Sequence, residues 1–559
     1  MRCDRAPGVL AAVAVVLGVG CRDDRAGQRI EDRRAEGRRL EVAAGDLRGR
    51  VMGLEIVRRS LLWDSLTLAE PARMEALMPI TAGHVNRERI FELRRLENSA
   101  HLEPGRRRAL RYLRVHLSRL YLLRGAARAS DRIVDAVAGA SITIAPGSPP
   151  IRFVDLHAVS TGAARAERPR ILARALPALG RLDRLLNAYH HDLRQQAARL
   201  GTTPFALHEE LEERDTRRLL AAVVAGNRRS DALFRFAWRS MVSTEPPATR
   251  LADLRFIEEG GAHQSTLSEQ RLMPALELLL DRLGLQLRAA GEQAVRVSQN
   301  GVVPTVLAIH PPRDVRLLYR PESGLSAHVD LFEAAGRAIC LARCRERDWA
   351  YRSLGPHLGG RALGYLLGLV WLERDFWGRY RAMGNRPRLE EAQVEDLIRT
   401  RIFAALVRLR VQGVVVPIMR VVFRGGPSRT YEGVWPGPGK GTPSVPRIFS
   451  RLMEWQLGLR LSADESLGYV DELDLPLQEE LDVRAYTLAH MLLELMREQH
   501  GARWFDKPEV GRLLVDRLCA RGSRPTVREL VAGFDLERKE LDMDAPWRNL
   551  QAAWEALHE

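Results

Sequence analysis

This chain contains the residue types best suited to hydrolytic or metal chemistry, but not at the spacings that chemistry needs. Two imidazoles four residues apart on one helix face, with a glutamate beside the first, would hold zinc and activate its water. His208 and Glu209 supply half of that pattern in LHEELEERD, but Glu212 stands where the second imidazole belongs. A charged helix surface is the expected setting for them. His190 and His191 are adjacent and His490 and His500 are ten residues apart, so neither pair spans one helical turn. Solvated or capping positions are expected for these four. His328, Glu333 and His357 are a further candidate ligand set, yet His328 and Glu333 are five apart and do not share a face. Cys340 and Cys344 lie one turn apart without a second cysteine pair, which makes them core side chains rather than a metal site. There is no Gly-x-Ser-x-Gly, no phosphate-binding loop and no Gly-x-Gly-x-x-Gly after a strand. Nucleophilic and nucleotide chemistry therefore have no local support.

Composition narrows what remains. The 559 residues are 46% hydrophobic and 28% charged, enough for a large core and far from the balance of disordered chains. The net charge of +15 rests on arginine, because lysine occurs only at Lys440, Lys507 and Lys539. Acidic residues are interleaved with the arginines, so nucleic acid is not the expected partner. Five cysteines exclude a disulfide-dense scaffold.

The N-terminus sets an expected location. Arg2 and Arg5 precede an apolar run from Gly8 to Gly20 that is too short for the ~20 helical residues of a membrane span. It fits a secretory leader, so residues 1–20 are expected to be a signal peptide. Gly20 directly before Cys21 resembles a bacterial lipoprotein signal, although Gly18 occupies the place where leucine is usual. Cys21 would then be lipidated, anchoring the chain to a membrane on the periplasmic face of a bacterial cell envelope. Residues 21–50 are densely charged and read as a disordered tether; 51–559 form the folded body. No second hydrophobic stretch of spanning length stands out.

The elements of that body follow from periodicity. Leu110, Leu113, Leu117, Leu120 and Leu123 recur at helical spacing. Residues 141–155 change to β-branched types around a Pro/Gly turn, which predicts a small hairpin. Residues 292–320 alternate around Asn300-Gly301 and Pro311-Pro312, predicting a small sheet of two or three meandering strands. Helices are expected at about 329–380 and from Leu389 to Leu409, then a Gly/Pro-rich loop at 424–446 and a helical C-terminal part at 446–559. The fold class is mostly α with one small sheet.

A strand at Val315–Tyr319 that feeds through Gly324 into a helix is the layout of gluzincin zinc peptidases. DVRLLYRPESGLSAHVDLFEAAGRAICLA (314–342) resembles the zinc-helix segment of oligoendopeptidase/thimet-oligopeptidase-type peptidases, where Leu-Phe precedes His-Glu-Ala-Gly-His-Ala. FDKPEVGRLLVDRLCARGSRPTVRELVAGFDLERKELDMDAP (505–546) is similar to that family's tail. The resemblance implies a large, two-lobed, mostly helical body with a deep groove, one small sheet before the site helix, and bound zinc.

The departures from the family pattern bear on its chemistry. Glu333 stands at the first zinc-binding His, Ala334 at the catalytic Glu and Arg337 at the second His, with Leu331, Phe332, Ala335, Gly336 and Ala338 retained. Arg361, 24 residues after Arg337, stands where the third ligand is expected. Guanidinium has no lone pair to offer a cation. The expected outcome is no metal, no cofactor and no hydrolysis, with Glu333 bridging Arg337 or Arg361. A peptide- or protein-binding role would survive, with Tyr319, His328, His357 and Tyr486 as groove-lining candidates and the edge of strand 315–319 offered to an extended peptide. The alternative is an active zinc-dependent oligopeptidase whose ligands lie elsewhere.

Overall fold

The computed structural model describes residues 45–63, 73–75, 78, 83–99, 102–144, 147–212, 216–242, 246–287, 295–300, 303–383, 389–424, 444–472, 479–534 and 540–558. The expected signal peptide, Cys21, most of the tether and most of the Gly/Pro-rich loop lie outside them. Residues 45–50, assigned to the tether, begin a helix that runs to 63. Contacts to the body hold that helix: Arg48 pairs with Asp348 at 3.1 Å, Glu55, 1% exposed, lies 3.3 Å from His116, and Arg59 donates to the Ala308 carbonyl.

Helices dominate, and each buries an apolar stripe at three- and four-residue spacing. Arg168–Arg199, with Pro169 in its first turn, buries Ile171, Ala175, Leu179, Leu182, Leu186, Tyr189, Leu193 and Ala197. Most of the apolar stripes meet in one contiguous core. The expected hairpin is present as β1 (Ser141–Ile142) antiparallel to β2 (Ile151–Arg152). The second sheet contains β3 (Val295–Ser298), β4 (Thr305–His310) and β5 (Asp314–Leu318), but it is not a meander. β5 is the central strand, parallel to β3 and antiparallel to β4. The expectation that 315–319 is an edge strand is thereby corrected: both sides of β5 are occupied, and β3 and β4 hold the edges.

Four helices form the interior of the body. α1 (Leu325–Ala342) follows β5 through Gly324, whose φ of 113° is a conformation that L side chains rarely adopt. α2 (Leu358–Leu369), α3 (Glu391–Arg424) and α4 (Glu479–His500) complete the set. By length and composition α3 could cross a membrane, with a mean hydropathy of 1.7 in its most apolar window. However, 83% of that window is buried inside the fold, as expected of a core helix. The sequence reading overlooked this stretch.

α1 and α2 meet through glycine. A Cβ on Gly336 would lie 2.6 Å from the Gly364 Cα, one on Gly364 would lie 2.3 Å from the Glu333 carbonyl, and one on Gly368 would lie 2.9 Å from the Glu333 Cγ. Gly336 and Gly364 therefore let the two backbones approach at a distance that any side chain would prevent. Farther along the same pair, Cys340 is bonded to Cys519 across 179 residues, while Cys344 is free and buried. The reading of Cys340 as a plain core side chain is corrected. On the chain-entropy argument, closing so long a loop stabilises the fold by about 5 kcal/mol at most.

Candidate functional site

Solvent reaches α1 along one stripe only. Asp330 is exposed, and Arg337 and Leu341 are half-buried, whereas residues 331–336 are all buried. Asp330, Glu333, Arg337 and Leu341 are three or four residues apart and share a face. On α2 every residue except Arg361 is buried, so Arg361 alone reaches toward solvent from that helix. Positions 333, 337 and 361, predicted to be neighbours, thus lie on one packed helix pair.

The side-chain pairing differs from the expectation. Glu333 does not bridge Arg337 or Arg361. Arg408 of α3 grips it in bidentate fashion, donating from Nη1 to Oε1 at 2.9 Å and from Nη2 to Oε2 at 3.3 Å. Arg337 Nε instead donates to the Glu333 backbone carbonyl at 3.3 Å. Arg361 pairs with Asp482 of α4 at 2.5 Å. Glu333 is 3% exposed, and Arg408 lies over the rings of Tyr365 and Tyr486, with centroids at 4.8 and 5.7 Å. Against the downward push of desolvation, Glu333 raises the Arg408 pKa well above its usual value, so the guanidinium stays charged. Ala334 is a fully buried methyl group.

Asp330 stands on the accessible stripe of α1 beside this cluster. Burial raises its pKa to about 6; Glu333 adds to the rise, and Arg408, Arg401 and Arg337 oppose it. The cluster is positive on balance, since Arg337, Arg361, Arg401 and Arg408 outnumber Asp330, Glu333 and Asp482. Burial raises the phenol of Tyr365, which stays protonated.

The other sequence candidates fall in several places. Tyr319 is 1% exposed behind the sheet, where its hydroxyl accepts from Gln299 at 3.0 Å. His328 is 0% exposed, with Nδ1 2.8 Å from the Gly324 carbonyl and its ring against Trp371 and Tyr380. His357 caps α2 with a φ of 50° and is half-buried; burial, then Arg59 and Arg361, lower its pKa to about 4. Tyr486 is buried edge-on against Tyr365 at 5.4 Å.

Several histidines read as surface residues are core residues. His208 is 4% exposed beside Arg119, at 3.1 Å, and burial together with Arg119, Arg484 and Arg361 holds it well below the usual imidazole range. His190 packs on Phe423 at 4.9 Å, and His490 is 0% exposed. Sequence reasoning missed Arg408, Asp330 and Asp482 entirely. The four-residue glycine spacing 360/364/368 was a readable sign of a close helix contact opposite Glu333.

No protein-family profile matches the chain, and no curated protein does. Solved structures do. The M32 carboxypeptidase of Deinococcus radiodurans superposes with a TM-score of 0.52 at 13% identity, covering 92% of this chain and 99% of that one. Metallocarboxypeptidase 1 of Trypanosoma cruzi gives 0.55 at 15% identity, covering 91% and 99%. A Bacillus anthracis protein assigned as oligoendopeptidase F gives 0.52 at 13%, covering 85% and 84%. At these identities the likeness concerns the fold. The chain shares with these structures a large, mostly helical fold.

Proposed function

We propose that this protein binds an extended peptide or protein segment along the arginine-rich accessible face of α1 and α2 without hydrolysing it, as a lipid-anchored protein of the bacterial envelope. The observation that carries the reading is the bidentate Arg408–Glu333 pair. It commits both oxygens of the one carboxylate that stands at a presumed ligand position. Arg337 and Arg361 have no lone pair for a metal and would repel one. These residues do not fit a zinc ion, and Ala334 offers no base to activate water. Among the described residues, no group of three or more His, Cys, Asp and Glu side chains could hold a metal ion.

Backbone edges and positive charge would remain for recognition. β3 and β4 have outer edges to which an extended segment could add as a strand, and Arg337 offers charge on the accessible stripe of α1. The envelope location is supported by the Gly8–Gly20 run before Cys21 and by the Cys340–Cys519 bridge, since such bonds persist in oxidising compartments.

A fluorescein-labelled, unstructured peptide of alternating Glu and Leu tests the binding. Saturable anisotropy is expected, with the peptide intact by mass spectrometry after a day. Arg337→Gln should weaken binding by roughly tenfold or more through one lost charge-assisted contact. Cleavage of the peptide, or equal binding by the variant, would count against the reading.

A further inference from the structure

We propose that Arg401, Tyr486 and His490 form an internal binding site for a small oxyanion, a carboxylate or phosphate group. Arg401 lies on α3 two turns before Arg408, and Tyr486 and His490 are one turn apart on α4. Their relative exposures are 4%, 1% and 0%. Arg401 Nε and Nη2, the Tyr486 hydroxyl and both His490 ring nitrogens have no hydrogen-bond partner among the described residues. Buried polar atoms are nearly always satisfied, and an unpaired buried charge is among the most costly features a core can hold.

The phenol and the imidazole are neighbours. The Tyr486 and His490 rings are 4.6 Å apart between centroids. After burial, Arg401 is the foremost charge acting on both, and the two effects hold His490 well below the usual imidazole range. A neutral imidazole supplies one N–H and the phenol one O–H. Asp330 feels the charge of Arg401 but forms no ion pair with it among the described residues.

The geometry of the guanidinium points to the ligand class. Nε and Nη2 are parallel donors on one edge, matched to two oxygens on a common atom. Elsewhere in this protein that edge grips a carboxylate, as Arg58 does Glu55 at 2.8 and 2.9 Å and Arg316 does Asp314 at 2.9 and 2.8 Å. Arg401 presents the same edge inside the core with no carboxylate hydrogen-bonded to it among the described residues. A spherical halide would use the fork less completely than an oxyanion. The site goes beyond the peptide reading, because a small anion would bind here whether or not the face of α1 and α2 takes a peptide.

The test titrates the full chain with inorganic phosphate and, separately, acetate at constant ionic strength, by calorimetry and melting temperature. Saturable, stabilising binding is expected. Arg401→Met should weaken it on the order of 100-fold and Tyr486→Phe on the order of tenfold. Tighter acetate would assign the site to a ligand carboxylate, and tighter phosphate to a phosphate group. Equal anion effects in wild type and Arg401→Met would overturn the proposal, as would no effect in wild type. If Arg401→Met does not fold, wild-type crystals soaked in selenate decide. Anomalous density against Arg401, Tyr486 and His490 supports the site, and none there overturns it.

Discussion

Glu333→Gln is expected to lower the free energy of unfolding by about 3 kcal/mol while leaving the fold intact. The substitution keeps the shape that Gly364 and Gly368 accommodate but removes the charge that Arg408 holds at 2.9 and 3.3 Å. Arg408 then keeps its charge without its bidentate partner, and only Asp330, which forms no hydrogen bond with it among the described residues, remains as a nearby acid. The Arg408 side chain is 33% exposed, so water recovers part of the loss, and the effect should fall at the lower end of the range for broken buried pairs. Arg408→Met in the Glu333→Gln background removes the orphaned charge and should restore most of the stability. A double-mutant cycle in urea measures the coupling, which should be about 2 kcal/mol or more. A coupling near zero would place the pair in bulk water.

Acid should unfold the protein well above the pH at which carboxylates titrate. Burial lowers His190, His328 and His357 to about 4 and holds His208 and His490 well below the usual value. Above pH ~6.5 these groups are neutral in both states and their stability contribution is complete. As pH falls, the unfolded chain takes up protons that the folded chain refuses, so stability declines between about 6.5 and 4. Each histidine lowered to about 4 loses about 3 kcal/mol across that window. The three together amount to about 9 kcal/mol, comparable to a typical total stability of ~5–15 kcal/mol. Asp330, raised to about 6, opposes the trend as a single group. The check is the urea midpoint against pH, with His328→Phe expected to lower the slope by about one proton. A midpoint flat from pH 7 to 4.5 would contradict the burial of these imidazoles.

The mostly helical class was legible because three- and four-residue apolar spacing is a local property, as in Arg168–Arg199. The small sheet was legible from its β-branched residues, but its strand order was not. β3 pairs in parallel with β5 across the intervening β4, and only tertiary packing selects that arrangement. The resemblance brought positions 333, 337 and 361 to one helix pair, yet it missed the partner of Glu333. Arg408 is 75 residues farther along, on a helix whose facing side no spacing rule reveals. The histidines misled for a related reason. His208 sits in LHEELEERD, among charges that resemble a surface, yet it is buried against the distant helix Pro104–Gly125, where Arg119 reaches its ring.

Elemental analysis of the purified full chain, equilibrated with equimolar zinc and then dialysed, bears most directly on whether this fold still carries metallopeptidase chemistry. With Glu333 held by Arg408 and guanidinium groups at 337 and 361, zinc should remain far below one ion per chain, and a peptide pool should stay uncut. One zinc per chain, together with peptide cleavage that a chelator abolishes and zinc restores, would contradict the account.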